Sequence, residues 1–287
     1  MSMKKIERGA QFVAQNKGLF RCPTCRAPFS KVEKTTVYCT NDHQFDLSKK
    51  GTLYLIKHGV KSDYDDDAMW QARRSLLQAG FFDPIIEEIA NQIGERAGIK
   101  VLDIGCGEGS VLQRLEHKRA DSSDRYVGFD ISKRAINLAT QQETAGFFCI
   151  ADLADLPFSE QSFDYLIDIF SPSAYGEFAR VQKKTGKLLK VIPNANYLGE
   201  LRRLLYAEND EKHEYSNQKV LDLFYKHYPN ATSTRIKYVF SLDDALFAAL
   251  MKMTPLQWGA SAESLKKAAS QPLKQITVDV TLLSSEK

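Results

Sequence analysis

The chain has 287 residues, 43% of them hydrophobic and 26% charged, with 9 Pro and 16 Gly. That is room for one large or two ordinary domains of ~100–200 residues, and it excludes a disordered, collagenous or solenoid protein. No apolar run approaches the ~18 residues that span a bilayer, and the N-terminus lacks the apolar core of a signal peptide, so a cytosolic protein with no membrane partner is expected.

The net charge of +3 hides a division. Residues 1–61 hold 12 Lys and Arg against 4 Asp and Glu, a surplus that suits a polyanion partner as well as a solvated surface. Three of the five cysteines fall in this segment, as Cys22-x2-Cys25 and, after thirteen intervening residues, Cys39-x3-His43. Three thiolates and an imidazole form a closed tetrahedral set for a structural zinc ion. A redox Cys-x-x-Cys is the alternative, but it leaves the second Cys/His pair without a purpose. Pro23 and Pro28 help the first loop turn back, and TTVYC reads as a short strand delivering Cys39. Arg21, Arg26, Lys31, Lys34, Lys49 and Lys50 can line a phosphate-binding face, although zinc ribbons also dock proteins. Cys106 and Cys149 lie further on, in apolar surroundings.

After the front segment, Asp65, Asp66 and Asp67 read as the cap of a helix over 68–79 that stops at Gly80, and Pro84 opens a second helix running toward residue 97. Strands then alternate with helices: strands at 99–104, 126–130, 147–152, 164–170 and 188–192, with further helices in 194–230. This pattern predicts an α/β, Rossmann-like doubly wound sheet of parallel strands, which binds ligands at its strand carboxyl ends.

The first of these strands runs into Gly105-Cys106-Gly107-Glu108-Gly109. Gly105 and Gly107 allow a sharp turn and a close backbone approach, but the spacing departs from the pyrophosphate fingerprint, which disfavours a dinucleotide. Asp103 stands before the loop, placed to meet an amine. Asp130, ending the second strand, can accept both hydroxyls of a ribose, or else cap the helix that follows. Asp152, ending the third, can accept from an adenine amino group while the Leu153 amide donates to the ring. An amine, a ribose and an adenine without phosphate describe S-adenosylmethionine.

VLDIGCGEGS, GFDIS and ADLADLPFSEQSFD resemble the class I S-adenosylmethionine-dependent methyltransferases over roughly 99–193. Adding CPTC…YCTNDHQFDLSKKGTLYLI, MWQARRSLLQAGFFDPI and MTPLQW, nearly the whole chain resembles the bacterial 23S rRNA guanine-N1 methyltransferases, a family that includes enzymes associated with macrolide resistance. The resemblance implies methylation of guanine N1 in a domain II hairpin of 23S rRNA beside the peptide exit tunnel. It also implies a homodimer in which a zinc domain recognises RNA. It places the metal on Cys22, Cys25, Cys39 and His43 and the cofactor loop on Gly105, Gly107 and Glu108. Further cofactor contacts fall on Phe82 and Tyr197, where the family pattern has tyrosine and histidine. Thr185-Gly186 stands where a Pro-Gly turn is frequent. The domains expected are a zinc-binding RNA-recognition domain at 1–61, a helical linker at 62–98 and a methyltransferase domain at 99–287.

Guanine N1 carries a proton that must leave before or during attack. Asp168 and Ser171, where the fourth strand ends, are the candidates nearest the methyl donor, although Asp168 can instead pair with a neighbouring cation. Phe170 and Tyr175 can stack on a base taken out of its helix, or be core. Two other readings stay open: a small-molecule methyltransferase with a purely structural zinc module, and a non-catalytic RNA-binding assembly factor.

Overall fold

The computed structural model describes residues 3–57, 66–119, 123–208, 210, 213 and 215–285. In chain order the elements are α1 (Lys5–Gln15), β1 (Phe29–Glu33), β2 (Thr36–Cys39), β3 (Gln44–Asp46), β4 (Leu53–Tyr54), α2 (Asp67–Gln78), α3 (Asp83–Ile93), β5 (Lys100–Ile104), α4 (Ser110–Lys118), β6 (Arg125–Asp130), α5 (Lys133–Ala139) and β7 (Phe147–Ile150). They continue with β8 (Phe163–Ile169), α6 (Tyr175–Val181), β9 (Gln182–Pro193), α7 (Gly199–Leu205), α8 (Gln218–His227), β10 (Thr232–Ser241), α9 (Asp244–Met253), α10 (Ala262–Ser270) and β11 (Gln275–Ser284).

Local chemistry accounts for most boundaries. Asp66 caps α2 by accepting from the Ala68 and Met69 amides at 3.1 and 3.2 Å. Asp65 lies outside the described residues, as does the expected boundary at residue 61. Gly80, at φ +91°, follows the end of α2 as anticipated, whereas α3 stops at Ile93 because Gly94 leaves the helix at φ +69°. The expected extension of α3 to residue 97 is therefore not made.

The main sheet has eight strands in the order β10-β11-β9-β8-β5-β6-β7-β4. From β9 to β4 every pairing is parallel, which fulfils the doubly wound expectation for the centre of the sheet. The far edge departs from it: β11 runs antiparallel to β9, and β10 pairs antiparallel to β11. The sheet is thus mixed. Thr185-Gly186 falls within β9, beside a shift in its register with β8.

Successive side chains alternate between two cores. Val101, Tyr165, Ile167 and Leu189 face a cluster shared with α2, α3 and α4, while Leu102, Leu166 and Leu188 face another. That second face is covered in part by the N-terminal segment. Phe12 stacks on Phe147 at 5.2 Å, and Phe20 meets Phe147 at 5.6 Å and Phe158 at 5.8 Å. The Arg21 guanidinium binds Asp155 at 2.9 Å and Glu177 at 3.3 Å. The edge strand β4 itself comes from residues assigned to the front segment, and the Leu55 amide donates to the Ile150 carbonyl at 2.8 Å. Among the described residues no helix is long and apolar enough to cross a membrane.

Candidate functional site

At the N-terminal end, β1, β2 and β3 form a three-stranded antiparallel sheet. Each half of the metal motif is a tight knuckle. The Cys22 amide donates to the Ala27 carbonyl at 2.7 Å, with Arg26 at φ +63°, and the Cys39 amide donates to the His43 carbonyl at 3.1 Å, with Asp42 at φ +57°. These turns bring one donor atom from each of Cys22, Cys25, Cys39 and His43 within 4.8 Å of one another. Cys25 Sγ is 3.8 Å from Cys39 Sγ, which is 3.5 Å from His43 Nδ1. The Ala27 amide leads the effects that pull the Cys25 thiol down to about 6, so a thiolate is available to a metal. The donor set fits zinc. Arg21 is absorbed by its carboxylate pairs and does not belong to an open basic face, whereas the Arg26 side chain is 66% exposed. Cys106, in the glycine loop, and Cys149, in β7, are buried and lie outside this cluster.

At the carboxyl ends of the parallel strands lies a cavity of about 1060 Å³. Its wall includes Gly105, Gly107, Asp130, Asp152, Leu153, Ser171 and Tyr197 from the sequence expectations. Gly105, at φ +64°, has no room for a side chain, since a Cβ there would meet Ser171 Oγ at 2.2 Å. Gly107 is at φ +56°, and its Cβ would approach the Trp70 ring at 3.0 Å. Asp130 accepts from the Gly107 amide at 3.0 Å and the Ser132 amide at 2.8 Å. It therefore holds the glycine loop, while Ser132 caps α5 by accepting from the Ala135 amide at 3.0 Å. Asp152 turns its own loop by accepting from the Ala154 amide at 2.9 Å.

Asp103 sits behind this loop with its Oδ2 buried and without a hydrogen-bond partner among the described residues. Burial, chiefly, pushes its carboxyl up to about 7. An orphaned buried carboxylate oxygen is costly unless a ligand donor completes it, which fits the ammonium of S-adenosylmethionine. The glycine loop and the acidic strand ends fit its remaining parts.

Other expected contacts stand elsewhere. Glu108 is buried at the start of α4, accepting from Ser110 Oγ at 2.9 Å and Gln142 Nε2 at 2.9 Å, so it braces the loop from behind. Gly109 is a packing glycine whose Cβ would meet that of Ala139 at 2.9 Å, and the Cys106 amide donates to the Phe129 carbonyl at 2.9 Å. None of these three is in the cavity wall, nor are Asp103 and Phe82, the Phe82 ring lying edge-on to Phe170 at 5.7 Å. Phe170 is in the wall and meets Tyr197 at 5.1 Å. Asp168 is not; it is fully buried and bound to Lys190 Nζ at 2.6 Å. Tyr175 is buried among Phe178, Phe224 and Tyr228 and serves as core.

Sequence reasoning missed Trp70 and Arg73 of α2 and Lys190 of β9. It also missed that 253–256 and Trp258 close the cavity, although the MTPLQW string had marked that stretch as distinctive.

Fold and cavity together define a class I methyltransferase. The family model described as "Methyltransferase domain" matches residues 95–244, and that described as "RlmA, N-terminal", a zinc ribbon, matches residues 20–58. YxjB of Bacillus subtilis (strain 168), assigned by name to the 23S rRNA (guanine-N1)-methyltransferases, is 35% identical over 272 residues, 92% of this chain and 96% of its own. The 23S rRNA (guanine(748)-N1)-methyltransferase of Streptomyces fradiae is 27% identical over 268 residues, covering 91% and 94% of the two chains. A Micromonospora griseorubida protein carrying the same 23S rRNA (guanine-N1) assignment is 25% identical over 281 residues, covering 90% and 93%. The chain belongs to the 23S rRNA (guanine-N1)-methyltransferase family, with S-adenosylmethionine and zinc as its cofactors.

Proposed function

We propose that this protein transfers a methyl group from S-adenosylmethionine to N1 of a guanine in a domain II hairpin of 23S rRNA, beside the peptide exit tunnel. The observation that carries the reading is a four-donor zinc ribbon seated on the same sheet that holds the cofactor cavity. A methyltransferase of small metabolites does not need that module, and a non-catalytic assembly factor does not need an orphaned Asp103 facing a glycine loop. Asp103, Gly105, Gly107, Asp130, Asp152, Leu153 and Tyr197 would hold the cofactor, which supplies an electrophilic methyl on sulfonium sulfur. Transfer from so good a leaving group depends chiefly on positioning.

The proposal includes the expected domains at 1–61, 62–98 and 99–287, a homodimer, and action in the cytosol. The zinc ribbon would hold the hairpin while the target base enters the cavity beside Phe170 and Tyr197, since RNA is read best through exposed loop bases. Ser171 is placed to hydrogen-bond the base edge.

The test incubates the protein and labelled cofactor with 23S rRNA that lacks the modification and then maps the methyl group. The expected product is N1-methylguanine at one domain II hairpin, and cells without the enzyme should show altered macrolide susceptibility. Absence of label in this RNA, with transfer to a small metabolite instead, refutes the reading.

A further inference from the structure

Lysine is rarely fully buried unless paired, and Lys190 is 2% exposed within the central sheet. Its Nζ donates to Asp168 Oδ2 at 2.6 Å and to the Ser171 carbonyl at 3.0 Å. These are its only side-chain partners among the described residues, yet an ammonium has three donors and Lys190 contributes to the cavity wall. We propose that Lys190 is a catalytic residue whose remaining N–H donates to O6 of the target guanine and stabilises the N1 anion that attacks the methyl group. This role rests on the reading of guanine N1 as the acceptor.

The surroundings fix the ammonium in place. Asp168 is fully committed, because its Oδ1 accepts from the Ser171 amide at 3.1 Å while Oδ2 holds Lys190. It is an anchor for the cation and not a proton acceptor. Ser171 is gripped at its amide by Asp168 and at its carbonyl by Lys190, and its Oγ donates to the Ile104 carbonyl at 3.0 Å, next to the glycine loop. The same grip accompanies a left-handed backbone at Phe170, φ +61°, a conformation that costs a bulky residue energy and clusters at functional sites. The donor side and the acceptor side of the cavity are thereby tied through one serine.

The chemistry balances without a protein base. The N1 proton passes to water, leaving charge shared between N1 and O6. The N1 lone pair forms the bond to the methyl carbon, and the electrons of the breaking C–S bond neutralise the sulfonium. A fixed cation at O6 favours the first step by lowering the acidity barrier of N1–H, and in a water-poor cavity such a donor acts strongly. The titratable groups that share the cavity wall with it are Arg73 on α2, Asp130 ending β6, Asp152 after β7, and Tyr197, Arg202, Tyr206 and Tyr215 from the segment after β9, with Asp168 on β8, Asp103 on β5 and Tyr175 on α6 buried behind them. These carboxyls oppose a guanine anion, and a cation held at O6 offsets them.

The experiment measures single-turnover methylation of a 23S rRNA transcript by wild type, Lys190→Met, Lys190→Arg and the Asp168→Asn/Lys190→Met double variant, from about pH 6 to about pH 10. Lys190→Met should be slower by about 100-fold near neutrality, and the deficit should shrink as alkali ionises N1 unaided. Lys190→Arg should recover part of the rate, and cofactor affinity should stay within about threefold. The double variant, which leaves no unpaired buried charge, should show the same alkaline shift, so a misfolded single variant does not spare the idea. Wild-type methylation at N1 with variant profiles parallel to its own would overturn the role of Lys190 alone. Wild-type methylation at a different atom would overturn the acceptor reading and this role with it.

Discussion

The metal end and the cofactor end of this molecule are built in opposite ways. The four zinc donors come from residues 22–43, and two backbone knuckles converge them. The cofactor cavity draws on strand ends from Ile104 to Pro193 and on Trp70 and Trp258, residues that only a packed sheet can bring together. The first is local and dependent on an ion; the second is non-local and dependent on a core. They are nevertheless joined, because Phe12 and Phe20 pack onto Phe147 and Phe158 of the sheet region. A module whose fold relies on a metal therefore packs directly against the sheet that carries the cofactor cavity.

The largest blow to this arrangement should come from Cys39→Ser. Bound zinc should fall from one per chain to none by metal analysis, and the melting temperature should drop by about 10 °C or more, since structural zinc contributes folding free energy directly. Cofactor affinity, measured by calorimetry well below that transition, should stay within about threefold; equal loss of both would show that the two ends are not separable.

Phe20→Ala attacks the seam itself. Deleting a fully buried ring there should cost about 3–5 kcal/mol in denaturant unfolding while zinc remains bound. Gly105→Ala is aimed at the other end. The collision with Ser171 Oγ and the left-handed backbone should weaken cofactor binding by about 100-fold, with zinc content unchanged.

The smallest effect expected is that of Asp103→Asn, about tenfold in cofactor affinity. Because the Asp103 carboxyl is pushed up to about 7, wild-type affinity should decline as pH falls through that value, the protonated form being unable to pair with an ammonium. The sign for stability is opposite. The folded value lies above that of an unfolded aspartate, so ionisation burdens the folded state above about pH 7, and the burden lifts as pH falls toward about 4. The cofactor-free variant should accordingly melt about 3 °C higher than wild type at about pH 8, and the two should converge near about pH 4. A pH-independent affinity in wild type would contradict this account.

The same contrast governs what the sequence made legible. The zinc quartet could be read because its spacing is short and its chemistry admits few other uses. Asp130 was placed at a strand end by the alternation of strands and helices; its bond to the Ser132 amide is local, but only the parallel pairing of β5 with β6 brings it to the Gly107 amide. Asp168 was harder, because its partner Lys190 lies 22 residues away on the neighbouring strand, and only strand register brings them together. Phe82 and Glu108 were carried over by resemblance alone. Packing places the first behind Phe170 and the second behind the glycine loop, distinctions of depth that a motif does not encode. The antiparallel pairing of β10 with β11 escaped notice because α9 and α10 lie between the two strands, so no tight turn announces it, and α1 escaped because its destination, Phe147, lies 135 residues downstream of Phe12.

That last separation sets an order of events during synthesis. The cysteines and His43 can take up metal as soon as residues 22–43 are made, whereas Phe12 must wait for Phe147 of β7, and Phe20 has Phe29 of the ribbon but lacks Phe147 and Phe158 until those are made. For more than a hundred residues of translation the nascent chain carries a finished ribbon beside exposed aromatic rings, the kind of surface that chaperones bind. Helix α1 is made well over a hundred residues before the strand it docks on.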